Sequence, residues 1–559
     1  MGTAAKENGL VLTPATIARE LVGWAVTKPT DTVLDVGSGK GIFLLEAAGR
    51  LRALGCSEKQ IAAQLYGVER DPELYQCASA TLKKELGFHL PGFVHGDFFQ
   101  AQFPSVSAIV GNPPYVRRNS LWDVDKIRAR LVHEDLFLAN LPRLTDLYTY
   151  FIMHASGFLA QGGRMAVVTS GSWMDTNYGI GLKQYLLRNF TIHMAAMCEQ
   201  RFFPDALVKP VMLLAEKASA GGTAKARFLR MRRFVPGFSQ LDAGRLEEVG
   251  TVAVVMHRDL DEREPWGVFV REPGAYFSLP VEKCVSLGRL AKSRIGIQPL
   301  ASAFYILPAD AASARGIPEE YLQPLAHSPR CIPGRVIKDA DALPHRILFV
   351  SQPLSRIRSR PVVEHIRHGE SREVEIRGKG SKVIGFNNLP RLQLTGRHPW
   401  YNLVDEIRRR GRYSILLPRR FYDTFVVVWN KAGAVAGENF IELEPVDPRD
   451  TTVLLALLNS SFFELACRSR GQQYGGGVYN LNPLDVRELP VLNPLLLAAG
   501  QRAALERAYG SFLEDGSRDR LDTAVAGAFE LGSPAQGRAR RAVAELRRLA
   551  VVSKAVSAV

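Results

Sequence analysis

Along the first 230 residues, short apolar runs alternate with longer stretches whose apolar positions recur at helical spacing. Thr32 to Val36, Gln64 to Val68, Gly92 to His95, Ala108 to Val110, Arg164 to Thr169 and Val211 to Ala215 read as strands. Ala15 to Ala25, entered through the cap-like Thr13-Pro14, reads as a helix, as do Ile42 to Leu54 and Leu147 to Leu159. Alternation of this kind predicts a doubly wound, Rossmann-like α/β sheet, with ligands at the carboxyl ends of the strands. The rhythm stops at the small, Gly-rich stretch Ala218 to Ala224, and after Val235 short strands and many turns predict a mixed α+β region. The last part is rich in Ala, Leu and Arg at helical spacing. The expected organisation is therefore three parts: 1–234, 235–490 and a helical segment over 491–559.

Composition changes this picture little and charge changes it more. With 46% hydrophobic and 23% charged residues in 559, the chain is ordinary for a globular protein of two or three domains. The start is polar and no run approaches a membrane span, so neither a signal peptide nor an anchor is expected. Six scattered cysteines form no CxxC pair, which argues against a zinc site or disulfide framework and for a reducing cytoplasm; no metal is expected. The net charge of +15 is unevenly spread: residues 1–234 hold 27 Lys+Arg against 20 Asp+Glu, and residues 351–420 hold 16 against 6. A basic run is most often a solvated face. Here it is interleaved with Phe386, Asn387, Asn388, Trp400, Tyr401 and Tyr413, which suits a polyanion surface better.

Val33-Leu34-Asp35-Val36-Gly37-Ser38-Gly39-Lys40-Gly41 runs from an apolar strand through three alternate glycines into a helix. Glycine serves where backbone must approach a ligand or take positive φ. Lys40 invites a phosphate-loop reading, but Gly41 stands where that loop needs Ser or Thr, and its opening glycine is missing. The next strand ends in Glu69, placed to accept hydrogen bonds from two ribose hydroxyls. The third ends at Gly96-Asp97-Phe98, where a carboxylate can take an adenine N6 hydrogen. Either acid alone is more simply a surface turn residue. Asp35, Glu69 and Asp97 closing successive strands are harder to dismiss.

The fourth strand ends in Asn112-Pro113-Pro114-Tyr115. An amino group on an aromatic ring is a poor nucleophile, because its lone pair is delocalised. The Asn112 side-chain oxygen and the Pro113 carbonyl can hold its two hydrogens and favour a pyramidal nitrogen. Pro113 and Pro114 stiffen the turn, and Tyr115 offers a face for a planar base. A turn with two prolines is usually structural, but its strand-end position and aromatic fourth residue favour chemistry. Cytosine C5 methylation would need a cysteine after a proline here, and there is none.

On these residues the chain resembles the gamma-class adenine-N6 DNA methyltransferases, in particular TaqI-like enzymes with a C-terminal target recognition domain. The resemblance implies S-adenosyl-L-methionine as cofactor, held by Thr13, Asp35, Gly37, Gly39, Gly41, Glu69, Asp97 and Phe98. It implies a helix entered through Leu12-Thr13-Pro14 that closes over the methionine end, and catalysis by Asn112, Pro113, Pro114 and Tyr115. Asp146-Leu147-Tyr148 with Gly162-Gly163 matches a further family segment. Phe203, before Pro204, takes the place of the family's base-stacking Phe, with Phe202 adjacent as the alternative. The rest matches more loosely, through Arg294-Ile295-Gly296-Ile297, Gly475-Gly476-Gly477-Val478-Tyr479 and Leu489-Pro490. The implied partner is double-stranded DNA, with a separate restriction endonuclease or defence-system subunit as a further partner. Starting at the cofactor-closing helix, the chain is expected to carry no upstream nuclease domain.

Arg408, Arg409, Arg410, Arg412, Arg419 and Arg420 are the candidate DNA contacts. The first four, nearly consecutive, splay in several directions on any regular element, which suits phosphate contact better than base reading. Alternatives are an RNA adenine or protein-glutamine methyltransferase, cytosine-N4 methylation, and a catalytically dead specificity subunit. Some 300 further residues with a concentrated basic segment disfavour the protein-directed reading, and intact Asn112, Tyr115, Glu69 and Asp97 disfavour the dead subunit.

Overall fold

In the computed structural model, β1 (Val33–Val36) is buried at all four positions and is an interior strand of a nine-stranded sheet. The residues described are 12–114, 126–127, 146–176, 178–200, 202, 210–218, 223–271, 281–376, 381–473 and 478–558. The other strands are β2 (Leu65–Glu69), β3 (Phe93–His95), β4 (Val106–Gly111), β5 (Leu159–Ser170), β6 (Thr191–Cys198), β7 (Pro210–Glu216), β8 (Lys225–Met231) and β9 (Gly250–Met256). Their order is β3-β2-β1-β4-β5-β7-β6-β8-β9. β1 pairs in parallel with both β2 and β4, whereas β7 runs antiparallel to β5 and β6. Strand order thus reverses at β1, and the crevice between the ends of β1 and β4 is where an open α/β sheet binds ligands.

The helices follow from local chemistry. In α1 (Ala15–Ala25), Ile17, Ala18, Leu21, Val22 and Ala25 are buried at helical spacing and join the core under the sheet. The glycine loop leads into α2 (Ile42–Ala53). The helix Pro72–Leu86 starts at Asp71, whose carboxylate accepts the N–H groups of Glu73 and Leu74, and stops at Gly87 with φ of 83°. Asp146 precedes the almost wholly buried helix Leu147–Phe158.

The α/β architecture matches the sequence expectation, and the boundary after residue 234 moves. β9 pairs with β8 along seven residues, and Phe269, in the short helix Gly267–Arg271, lies 4.7 Å from the Phe228 ring. The first compact unit accordingly runs to Gly274. Cutting at 234 would strip an edge strand and expose Phe228.

The second unit covers most of residues 275–552. One four-stranded sheet orders Ala291–Ile295, Phe440–Pro445, Ile415–Pro418 and Val428–Trp429; another orders Ile306–Pro308, His345–Leu348, Leu322–Ala326 and Val435–Ala436. Gly296 is required where it stands, because a Cβ there would overlap the Gly437 carbonyl. The helices Ala499–Asp515, Arg518–Ala528 and Ser533–Ala558 are no separate appendage. Leu505, Tyr509, Phe512, Leu521, Val525 and Leu546 share one core with the helices Thr451–Leu458 and Ser461–Arg470. Among the described residues no helix is long and apolar enough to cross a membrane.

Candidate active site

The glycine loop leaves β1 with φ of 90° at Gly37, 53° at Gly39 and 78° at Gly41, values that side chains beyond glycine rarely tolerate. A Cβ on Gly37 would stand 3.9 Å from both Pro114 and Phe151. The loop therefore faces the Asn112-Pro113-Pro114 turn across the strand-order switch.

Asp35 lies beneath the loop, fully buried, and among the described residues neither carboxylate oxygen has a hydrogen-bond partner. The Ser38 hydroxyl donates instead to the Asp35 main-chain carbonyl at 3.4 Å. One carboxylate oxygen sits 3.1 Å from where a Cβ on Gly111 would be, which aims it at the end of β4. Burial pushes the Asp35 carboxyl from the usual 3.8 up to about 8, with Ser38 offsetting a part.

A buried acid left without a donor costs free energy unless something cationic meets it. The ammonium of an amino-acid cofactor is such a group, so Asp35 and the glycine cradle fit S-adenosylmethionine. Between the usual 3.8 and about 8 the folded protein binds more protons at Asp35 than the unfolded chain does. Its contribution is therefore complete below 3.8 and is lost as pH rises through 8. Asp35→Asn is expected to gain melting temperature relative to wild type between pH 6 and 9, without cofactor, and to weaken cofactor binding roughly 10- to 100-fold, the scale of one charged hydrogen bond. Scanning calorimetry and cofactor titration check the two halves.

Glu69 joins the loop to the neighbouring strand. One carboxylate oxygen accepts the Gly39 N–H at 2.8 Å and the other the Asp71 N–H at 2.8 Å. Burial raises its pKa, and these backbone donors work against that rise. With the Arg70 backbone as a further donor, the carboxylate still has acceptor capacity for a ribose hydroxyl. Asp97 accepts the Phe99 N–H at 3.0 Å and stays partly exposed.

Phe98, expected at the cofactor, is only 2% exposed and stacks on Phe151 at 5.0 Å. It belongs to an aromatic cluster with Phe99 and His154 behind the site. Phe151 is not singled out by the sequence, because its helix is apolar on every side and reads as core.

Asn112 donates its amide N–H to the Thr13 hydroxyl at 3.0 Å. Pro113 is buried and Pro114 half-buried. Tyr115 and Phe203 lie outside the described residues, as do Gly475, Gly476 and Gly477. Phe202 is described: it packs edge-on against Phe234 at 5.6 Å, beside the core.

The basic segment is less uniform than its sequence. Arg408, Arg409 and Arg410 end the seven-residue helix Val404–Arg410, beside the carbonyls that a helix end leaves unsatisfied. Arg410 is ion-paired with Glu442 at 3.1 Å, and Arg294 bonds the same carboxylate at 2.8 Å. Arg412 donates to the Ile407 carbonyl at 3.1 Å and Arg419 to the Glu438 carbonyl at 3.3 Å. Arg408 lies over the Phe349 ring at 5.4 Å. Arg410 is committed to Glu442, while Arg408, Arg409, Arg412 and Arg420 are exposed.

Residues 2–236 match the family model described as N-6 DNA methylase, and with that match the chain belongs to the adenine-N6 DNA methyltransferases. Residues 280–519 match a second model, the C-terminal domain of the Type II methyltransferase M.Eco57I. The two in this order make it, more particularly, a member of the Type II DNA methyltransferases. M.AccI of Acinetobacter calcoaceticus is 22% identical over 533 residues, covering 88% of this chain and 86% of that one. M.XamI of Xanthomonas campestris pv. amaranthicola is 28% identical over 197 residues, 34% of each chain. Among solved structures, the Type IIL restriction-modification enzyme MmeI, determined in complex with DNA, shares the fold with a TM-score of 0.62 at 14% identity. That match covers 98% of this chain and 75% of MmeI.

Proposed function

We propose that this protein transfers a methyl group from S-adenosyl-L-methionine to the N6 amino group of a specific adenine in double-stranded DNA, as the modification partner of a restriction or phage-defence system. The observation that carries the reading is the placement of Asn112-Pro113-Pro114 opposite the glycine loop, at the switch point of the sheet. The cofactor supplies an electrophilic methyl group when bound. Gly37, Gly39 and Gly41 let the backbone approach it, Asp35 meets its ammonium, Glu69 its ribose, and Asp97 its adenine, with Thr13 at the methionine end.

The remaining work belongs to the turn after β4. The Asn112 oxygen and the Pro113 carbonyl each take one N6 hydrogen of the target adenine. That turns the lone pair out of the ring and towards the methyl group. The bound cofactor would supply the methyl group and keep the bonding pair on its sulfur, and the N6 proton displaced by the new N–C bond would pass from the Asn112 and Pro113 acceptors to solvent. The proline rings hold these acceptors still, so little reorganisation is needed during transfer.

The N6 atom lies inside the duplex, so the base must leave the stack, and Tyr115 with Phe203 replaces the lost stacking. Phe203 is preferred to Phe202, which packs beside Phe234. With 2-aminopurine at the target position, fluorescence is expected to rise on binding, and Tyr115→Ala to change that signal. An identical signal in the variant would remove Tyr115 from the stacking role.

Target reading falls to the second unit, with Arg409 and Arg420 on phosphates. Each neutralised phosphate contributes roughly 0.9 to the slope of log affinity against log salt. Replacing Arg409 and Arg420 together by alanine is expected to flatten the slope by up to about 2 and leave the methylated sequence unchanged. A salt titration with mapping of modified sites decides it; a relaxed target would make one of them a base reader.

The test of the whole reading is incubation with methyl-labelled cofactor and duplex DNA, RNA or cell protein, followed by digestion. Label recovered as N6-methyldeoxyadenosine supports the proposal. Label in RNA, in protein or in N4-methylcytosine moves the activity to that substrate, and no label in any arm makes the chain a binding subunit.

A further inference from the structure

We infer that Thr13 is a positioning residue for the catalytic turn, beyond any part it plays at the cofactor: its hydroxyl sets the rotation of the Asn112 amide. This rests on the methyltransferase reading above and adds a residue to it. The two residues are 99 positions apart in sequence, and their bond, 3.0 Å from the Asn112 Nδ2 to the Thr13 Oγ1, ties the segment before α1 to the turn after β4.

A side-chain amide is two-faced, with an acceptor oxygen and a donor nitrogen of nearly equal size. Only one rotation is useful here. With the oxygen towards the substrate it accepts an N6 hydrogen; with the nitrogen there, two N–H groups oppose each other and the base is repelled. Nothing in the asparagine itself selects between them. The Thr13 hydroxyl accepts an Asn112 N–H and, with its own hydrogen turned to another acceptor, holds the amide nitrogen on its side and so presents the oxygen on the other.

Threonine suits the task for two further reasons. Its β-branch leaves few rotamers, so the acceptor is held in place. Its hydroxyl also accepts from Asn112 while keeping its own hydrogen to donate. A carboxylate at the methionine end of the cofactor is a matching acceptor for that hydrogen. One hydroxyl would then connect an occupied cofactor site with the orientation of the catalytic amide. Thr13-Pro14 directly precedes α1, whose apolar face is anchored in the core, so the hydroxyl has a rigid base.

The test combines a spectroscopic arm with a kinetic one, both on the full chain. In protein labelled with 15N-asparagine, the Asn112 side-chain resonance is assigned by its loss in Asn112→Ala. It is expected to shift in Thr13→Val, which is nearly isosteric and lacks the hydroxyl, and to stay near its original position in Thr13→Ser. An unmoved resonance in Thr13→Val overturns the proposal, whatever the activity.

In single-turnover methylation at saturating cofactor, Thr13→Val is expected to slow transfer about 10- to 100-fold, the scale of a misplaced catalytic group. Thr13→Ser should recover most of that loss. In an Asn112→Ala background, Thr13→Val should slow transfer less than threefold further, because there is no amide left to orient. Equal losses in both backgrounds would mean that Thr13 acts on the cofactor alone, and would overturn the proposal. Should wild-type protein transfer no label, the function assigned above fails, while the resonance still decides the bond.

Discussion

Asn112→Ala is expected to lower single-turnover methyl transfer by a factor of several hundred while leaving cofactor affinity within about threefold. Removing one preorganised polar group from a developing charge costs about 3–4 kcal/mol of barrier. The proposed cofactor contacts lie elsewhere, at Asp35, Glu69 and the glycine loop, so the ligand should still bind. Asn112→Asp is a sharper variant, since it keeps shape and acceptor but brings a negative charge and removes the N–H that meets Thr13. Quench-flow with labelled cofactor measures the rate, and calorimetric titration the affinity. Turnover within threefold of wild type in Asn112→Ala would remove the amide from the chemistry.

The second large effect is expected at Glu464, in the second unit. Glu464 is wholly buried in the helix Ser461–Arg470. Arg468 bonds it at 2.7 Å from the same helix, Arg547 at 2.6 Å and 2.9 Å from the last helix, and Arg518 from the one between. The Arg468 guanidinium also lies 5.2 Å from the Phe421 ring and 5.1 Å from the Tyr479 ring, which stack on each other, and donates to the carbonyls of Tyr422 and Asp423. Burial alone would push the Glu464 carboxyl up. Arg518, Arg547 and Arg468 outweigh it and bring the pKa down to about 2.

Glu464→Gln leaves three guanidinium groups around a neutral side chain, with the fully buried Arg468 worst placed. Breaking a buried pair from one side costs about 3–5 kcal/mol. For a unit of this size that lowers its melting temperature by roughly 6–20 °C. Because the folded pKa is depressed from 4.5 to about 2, the contribution is full above 4.5 and disappears as pH falls towards 2. The wild-type advantage over Glu464→Gln should therefore shrink across that acid window, as followed by calorimetry. A shift below 2 °C at pH 7 would show that the cluster adds nothing net to stability.

Much of the first unit was legible in the chain because its signals are local. Val33 to Val36 is a short apolar run followed by glycines, and Leu147 to Phe158 is apolar at helical spacing. β8 and β9 were harder to see. Lys225-Ala226-Arg227-Phe228-Leu229-Arg230-Met231 mixes three charges into a strand whose neighbours lie far off in sequence, so the unit looked finished before residue 235. The candidate site divides in the same way. Glycine spacing, strand-end acids and the proline turn can be read from neighbouring residues. The Thr13–Asn112 bond, the pairing of Arg410 with Glu442 and the burial of Phe98 against Phe151 depend on tertiary neighbours that no short window contains.

The closing helices of the second unit also impose an order on synthesis. Leu417, Leu454 and Leu465 leave the ribosome well before Leu521, Val525 and Leu546, the residues that cover them. At 5–20 residues per second, the delay between the helix Ser461–Arg470 and Leu546 is on the order of ten seconds. Throughout that interval the nascent chain carries an uncovered apolar core, and Glu464 and Arg468 have no Arg518 or Arg547 beside them. Stop codons placed between Leu505 and Leu546 should consequently yield chains retained by chaperones or degraded, even though every residue proposed for catalysis has already been made.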